Sequence, residues 1–182
     1  MRETEEWLKS TGKNVLQELG IKKGQTILDF GCGAGIYSII ASKIVGNEGK
    51  IYALDYDEDH LEELSNKIIA QNIKNIEIIK TSKDISVPLK SNSLDVVLMY
   101  DVYHLIDMKD RISLLKQFHR ILKDKDSFLS YHATHIGSYG IDLKEVHQQM
   151  NASGFTLDKE FKKPMFHWRW IQEGKIFNYI KS

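Results

Sequence analysis

The stretch ILDFGCGAGIYS, Ile27 to Ser38, admits few folds. A short apolar run ends in Asp29, glycines follow at the alternate positions Gly31, Gly33 and Gly35, and an apolar helical pattern resumes at once. That order reads as a strand, a tight turn and a helix. Glycine takes turn angles that other residues resist, and it lets another group approach the backbone closely. The free N–H groups at the start of the helix then face whatever docks there. A bare strand–helix turn with no ligand is the plain alternative.

The same alternation repeats along the chain. Short β-type runs fall at Thr26–Phe30, Lys50–Leu54, Ile76–Lys80, Asp95–Tyr100 and Phe128–His132. Helical patterns fall between them at Ile36–Val45, Asp59–Gln71 and Lys109–Leu122, the last with Ile112, Leu115, Phe118 and Leu122 in one stripe. Strands and helices so spaced predict an α/β, Rossmann-like three-layer sandwich with a mostly parallel sheet. Thr81–Ser93 is short, holds Pro88 and reads as a loop. Glu3–Leu19 reads as a helix ending at Gly20, and Asp142–Ser153 as another stopped by Gly154. Strand-like runs at Phe166–Ile171 and Lys175–Ile180, joined by Gln172–Gly174, predict a hairpin. The sheet therefore has seven strands and ends in an antiparallel one. The chain reads as a single domain: a helical cap over 1–23, a core over 24–132, and a C-terminal helix and hairpin over 133–182.

Composition removes several function classes. Lys plus Arg and Asp plus Glu each number 25, so no global field attracts nucleic acid. The single cysteine, Cys32, rules out an internal disulfide and a cysteine zinc site, and suits a reducing cytosol. No apolar run approaches a membrane span, and the charged start MRETEEWLKS is unlike a signal peptide. The expectation is a cytoplasmic protein with a small-molecule partner and no nucleic acid.

One βαβ unit beyond the glycine turn, Asp55 closes the second strand, where a carboxylate can accept both hydroxyls of a ribose. The glycine spacing separates cofactors. A dinucleotide site wants G-x-G-x-x-G, whereas this chain has G-x-G-x-G with Ile36 in the last glycine's place. At this point the chain resembles the class I S-adenosylmethionine-dependent methyltransferases, and within them the type 11 small-molecule kind that includes quinone-biosynthesis enzymes. The resemblance runs from about Gly24 to Leu129. It rests on ILDFGCGAG, YALDYDED, VPLKSNSLDVVLMYDVYHL and LLKQFHRILK.

The resemblance implies S-adenosylmethionine as cofactor and S-adenosylhomocysteine as product. Asp29 and the backbone of Gly31, Cys32, Gly33 and Gly35 would hold its methionine end. Asp55 would take the ribose hydroxyls, Tyr56 would flank the adenine, and Tyr100 would lie near the sulfonium. Where the family places an acid for the adenine amino group, this chain has Lys83, leaving Ser82, the Lys83 backbone and Asp84 for that contact.

Methyl transfer from a sulfonium is an in-line displacement that asks mainly for alignment, exclusion of water and, where needed, removal of a proton. His104 and Asp101, just after the fourth strand, are the candidate bases, each with a packing or capping role as the plainer reading. His104, His132 and His135 form a conceivable metal set, but short-spaced histidines at a strand end are usually solvated, and no metal is assigned. In the run KKPMFHWRW, residues Phe166, Trp168 and Trp170 share one strand face, and Met165, His167 and Arg169 the other. Trp7 reads as docking its helix. Few residues are left for a lid, which favours a small acceptor or a dimer partner closing the site. A non-catalytic adenosylmethionine-binding module and a nicotinamide-dependent oxidoreductase are the competing readings.

Overall fold

A computed structural model describes residues 2–82 and 86–182, the side chains of residues 2 and 3 apart. Five parallel strands form one side of its sheet, the inner ones apolar as expected where both faces are covered. They are β1 (Thr26–Phe30), β2 (Lys50–Asp55), β3 (Ile76–Lys80), β4 (Val96–Tyr100) and β5 (Phe128–Ala133). Two further strands, β6 (Phe155–His167) and β7 (Trp170–Lys181), complete a seven-stranded sheet of order β3-β2-β1-β4-β5-β7-β6. β7 runs antiparallel to both of its neighbours.

Helices cover both faces. The N-terminal helix has three segments: α1 (Arg2–Glu6), a π-helical turn at Trp7–Thr11, and α2 (Gly12–Glu18). With α3 (Ile36–Val45) it packs against Ile27, Ile51, Val96 and Leu98. α4 (Glu58–Ala70) extends that layer through Leu64, which packs on Ile39 and Ala53. On the other face, α5 (Met108–Ile121) and α6 (Leu143–Ala152) bury Leu114, Leu115, Phe118, Val146 and Met150 against Leu28, Val97 and Leu129. Side-chain caps fix two of these helices at their N-termini. Asp57 accepts from His60 N, and Asp142 accepts from Lys144 N and Glu145 N. Residue 7 docks its helix, as read: Trp7 is 2% exposed and donates its indole N–H to Pro164 O at 2.7 Å.

The hairpin turns elsewhere than the sequence predicts. Its reversal is at Trp168–Arg169, with His167 paired to Trp170, and Gln172–Gly174 lies inside β7 opposite Met165–Lys163. Gly174 is there for close approach: a Cβ on it would sit 2.3 Å from His132 Nε2. The true turn uses Trp168 at φ 56°, a conformation for which glycine would be the usual signal. β6 also starts eleven residues before the expected Phe166. It is an edge strand whose solvent-facing residues are mostly Lys, Asp and Glu, so it carries no apolar run to read. Pro164 is tolerated on such an edge. The segment 81–95 has no helix and no multi-residue strand among its described residues, in keeping with the loop reading.

Candidate active site

The strand order reverses between β1 and β4, so the carboxyl ends of these two strands flank the crevice where open α/β sheets bind ligands. Asp29 lies in β1 between Ala53 and Leu98, with 2% of its surface exposed. Burial pushes its carboxyl up to about 6, with the Asp55 charge adding and a 2.6 Å hydrogen bond from Ser38 Oγ opposing. A buried acid shifted this far marks a candidate ligand-binding position.

The glycine turn is braced from several sides. Gly31 N and Cys32 N donate to Leu54 O at 2.8 and 3.1 Å, and Lys67 Nζ donates to Ala34 O at 2.9 Å. Gly33 N donates to Asp55 Oδ2 at 2.7 Å, while Asp55 Oδ1 accepts from Tyr56 N and Asp57 N at 2.7 and 3.0 Å. Asp55 is thus joined to the turn it flanks, while Asp29 is held by Ser38 of the helix that follows the turn. The glycines differ in purpose. A Cβ at Gly31 would meet Val102 at 2.5 Å and one at Gly35 would meet Leu64 at 2.2 Å, whereas nothing lies within 4 Å of one at Gly33. Of these three, only Gly33 faces open space.

Burial, followed by the charges of Asp29 and Asp55, pushes the Cys32 thiol up and favours its protonated form. Tyr56 is half-exposed beyond the tip of β2, and Ser82 is exposed after β3. Lys83 and Asp84 lie outside the described residues. Tyr100 is buried at the end of β4, its hydroxyl 2.8 Å from Ser130 Oγ and its ring 4.9 Å from that of Tyr37.

A second group of side chains gathers at the ends of β4 and β5. Asp101 follows β4 at φ 56°, and His135 follows β5 at the same φ. Asp101 Oδ2 lies 2.7 Å from His167 Nδ1, and Asp101 Oδ1 lies 3.9 Å from His135 Nε2. Burial holds the Asp101 carboxyl above its ordinary value against the pull of His167, Thr134 and His135. His104 stacks beside His135 at 4.2 Å between ring centroids, with Nδ1 3.4 Å from Thr134 Oγ1. Burial first, then His135, His167 and Arg111, pull His104 down to about 4. It is therefore neutral at physiological pH, and a weaker base than its type suggests.

Of the three histidines that sequence spacing groups, His132 does not join this cluster. It is buried under β7, and burial pulls it down to about 3. His167 takes its place. Its position alternates with that of Met165, and both face inward while Trp168 and Trp170 stay exposed. Arg111, which the sequence does not flag, anchors the neighbourhood. Fully buried in α5, it donates to Ile106 O at 3.1 Å and to Gly140 O at 2.9 Å, and its guanidinium lies over the Tyr103 ring. That ties the loop after β4 to the loop after β5. No helix of the described residues is long and apolar enough to cross a membrane.

Known proteins resemble this chain in sequence and in fold. A family model described as a methyltransferase domain matches residues 27–125. Demethylmenaquinone methyltransferase of Geobacillus stearothermophilus is 32% identical over 111 residues, 61% of this chain and 46% of the relative. The protein of the same name from Staphylococcus aureus is 27% identical over 172 residues, 92% of this chain and 66% of the relative. The chain thus spans about half the length of the Geobacillus relative. Among solved structures, a SAM dependent methyltransferase from Aquifex aeolicus has a TM-score of 0.78 at 24% identity, covering 93% of this chain and 89% of that one. Magnesium protoporphyrin IX methyltransferase of Synechocystis, solved with bound SAM, has a TM-score of 0.71 at 14% identity, covering 97% and 79%. At these identities the structural likenesses speak for the fold.

Proposed function

From its membership of the methyltransferase-domain family, we propose that the chain transfers the methyl group of S-adenosylmethionine to a small molecule, releasing S-adenosylhomocysteine. The observation that carries this reading is the pairing of a buried Asp29 and a strand-tip Asp55 around a braced glycine turn at the crevice between β1 and β4. Asp29 meets the ammonium of the cofactor, and the backbone around Gly33 lies along its methionine end. Asp55 takes the ribose hydroxyls, Tyr56 flanks the adenine, and Tyr100 lines the pocket near the sulfonium.

The cofactor brings an activated methyl group, so the protein's tasks are alignment and proton removal. The acceptor sits beyond the ends of β4 and β5, where Asp101 and His104 are the candidate proton acceptors. The names of the demethylmenaquinone relatives support a quinone-type acceptor, which carries a ring hydroxyl in its reduced form. Loss of that proton raises electron density on the oxygen and on the adjacent ring carbons, either of which can attack the methyl group in line with the departing sulfur. The test is incubation with methyl-labelled adenosylmethionine and a panel of phenols and reduced quinones, with mass spectrometry of the products. Labelled product and S-adenosylhomocysteine in equal amounts support the reading. Cofactor binding without turnover on any acceptor favours a non-catalytic binding module.

A further inference from the structure

Three side chains from separate elements converge at the acceptor end of the sheet. Asp101 comes from the end of β4, His135 from the end of β5 and His167 from the last position of β6, before the hairpin turn. One ligand atom from each lies within 4.8 Å of the other two. The sheet order is what assembles them, because β5 and β6 both flank β7.

The trio is not explained as a plain ion pair. His167 Nδ1 and Asp101 Oδ2 are close enough for one, at 2.7 Å. Yet Asp101 Oδ1, His135 Nε2 and His167 Nδ1 are all buried without a hydrogen bond, and the first two lie 3.9 Å apart. The gap is too long for a hydrogen bond. It is, however, the spacing of two donors that share one ion, since bonds of about 2.1 Å put such donors roughly 3–4 Å apart. His167 is 6% exposed, so its ring nitrogens have little access to water. Neighbouring rings hold both imidazoles. His135 lies between His104 and Tyr139 at 4.2 and 4.9 Å, and His167 has Trp170 at 5.4 Å. Asp101 and His135 are also both held at φ 56°, an uncommon backbone conformation that the surrounding fold must enforce at adjacent strand ends.

Two imidazoles and one carboxylate suit a borderline divalent cation such as Zn²⁺ or Co²⁺ and are poor ligands for Mg²⁺ or Ca²⁺. We propose that Asp101, His135 and His167 form a binding site for such a cation, with a coordination position left for an oxygen of the acceptor. The binding site stands on the cluster alone; its part in catalysis rests on the proposed methyl transfer. There the cation would withdraw electron density from the acceptor's hydroxyl, so that the O–H bond breaks with loss of its proton to solvent. The resulting oxyanion then attacks directly or through the ring. The C–S bond of the sulfonium breaks as the new bond to methyl forms, and sulfur keeps the electron pair. Asp101 acts as a ligand in this arrangement rather than as a base.

The experiment uses untagged protein stripped with a chelator, titrated with Zn²⁺ by calorimetry and with Co²⁺ by visible absorption. About one equivalent should bind, and His135→Gln or His167→Gln should each weaken binding about tenfold or more. His60→Gln, on the half-exposed surface of α4, should change nothing. Circular dichroism checks the fold of each variant, and Asp101→Asn supplies a third ligand change if a histidine variant does not fold. Absence of saturable binding, or unaltered affinity in the folded ligand variants, overturns the site. Zinc binding by a protein that does not bind adenosylmethionine would keep the site and remove the proposed function, so the two failures are distinct.

Discussion

Alanine at Gly35 and alanine at Gly33 should have different consequences, although the two residues share one turn. At Gly35 the added methyl would lie 2.2 Å from Leu64 Cδ1 and 2.9 Å from its Cγ. Leu64 is fully buried beside Ile39 and Ala53, so it has little room to retreat. The left-handed backbone, φ 78°, adds about 1–2 kcal/mol for a residue with a Cβ. Overpacking adds about 1–3 kcal/mol. The sum, about 2–5 kcal/mol, is a large part of a total of about 5–15 kcal/mol and corresponds to a melting point lower by about 5–15 °C. At Gly33 the backbone, φ 51°, carries the same kind of strain, but nothing lies within 4 Å of the added methyl. Gly33→Ala should therefore lower stability by only about 1–2 kcal/mol. Its methyl would occupy the space assigned to the cofactor and weaken adenosylmethionine binding by about tenfold or more, which is about 1.4 kcal/mol. Thermal unfolding and calorimetric titration of both variants read the two effects separately. Equal destabilisation by the two changes, or normal stability with Gly35→Ala, would refute the division of labour within the turn.

Three other outcomes are expected. Asp29 titrates at about 6 in the fold against an ordinary 3.8, so the ligand-free chain gains stability from its protonation as pH falls through that window. A cationic ligand needs the ionised form, so adenosylmethionine affinity should be full above about pH 6 and fall about tenfold per unit below it, a dependence absent in Asp29→Asn. Gly174→Ala, whose methyl would lie 2.3 Å from His132 Nε2 and 2.8 Å from Met165 Cγ, should cost about 1–3 kcal/mol in denaturant unfolding. Arg111→Met should leave the carbonyls of Ile106 and Gly140 without their partner, costing about 1–3 kcal/mol, and should lower turnover more than cofactor affinity.

The grouping of acids around the glycine turn was legible in the sequence because it is local. Asp29, the glycines and Asp55 fall within one βαβ unit, and strands buried on both faces read as apolar runs. The acceptor half was legible only in part. Asp101 and His104 stand close together in the chain, but His167 reaches them through the order of the sheet. Strand alternation alone could not say that Met165 and His167, rather than Phe166 and the tryptophans, face inward. Gly174 misled because a glycine between two β-type runs usually signals a turn; here it makes room for His132. β6 was missed along most of its length because an edge strand with charged residues on its open face lacks the apolar signature of a central one.

Calorimetric titration of the purified chain with S-adenosylmethionine, S-adenosylhomocysteine and NAD tests the central claim most directly. The account predicts that both adenosyl ligands bind with about one-to-one stoichiometry and micromolar affinity, about −8 kcal/mol, and that NAD does not compete. Failure of both adenosyl ligands to bind, or a preference for NAD, would contradict it.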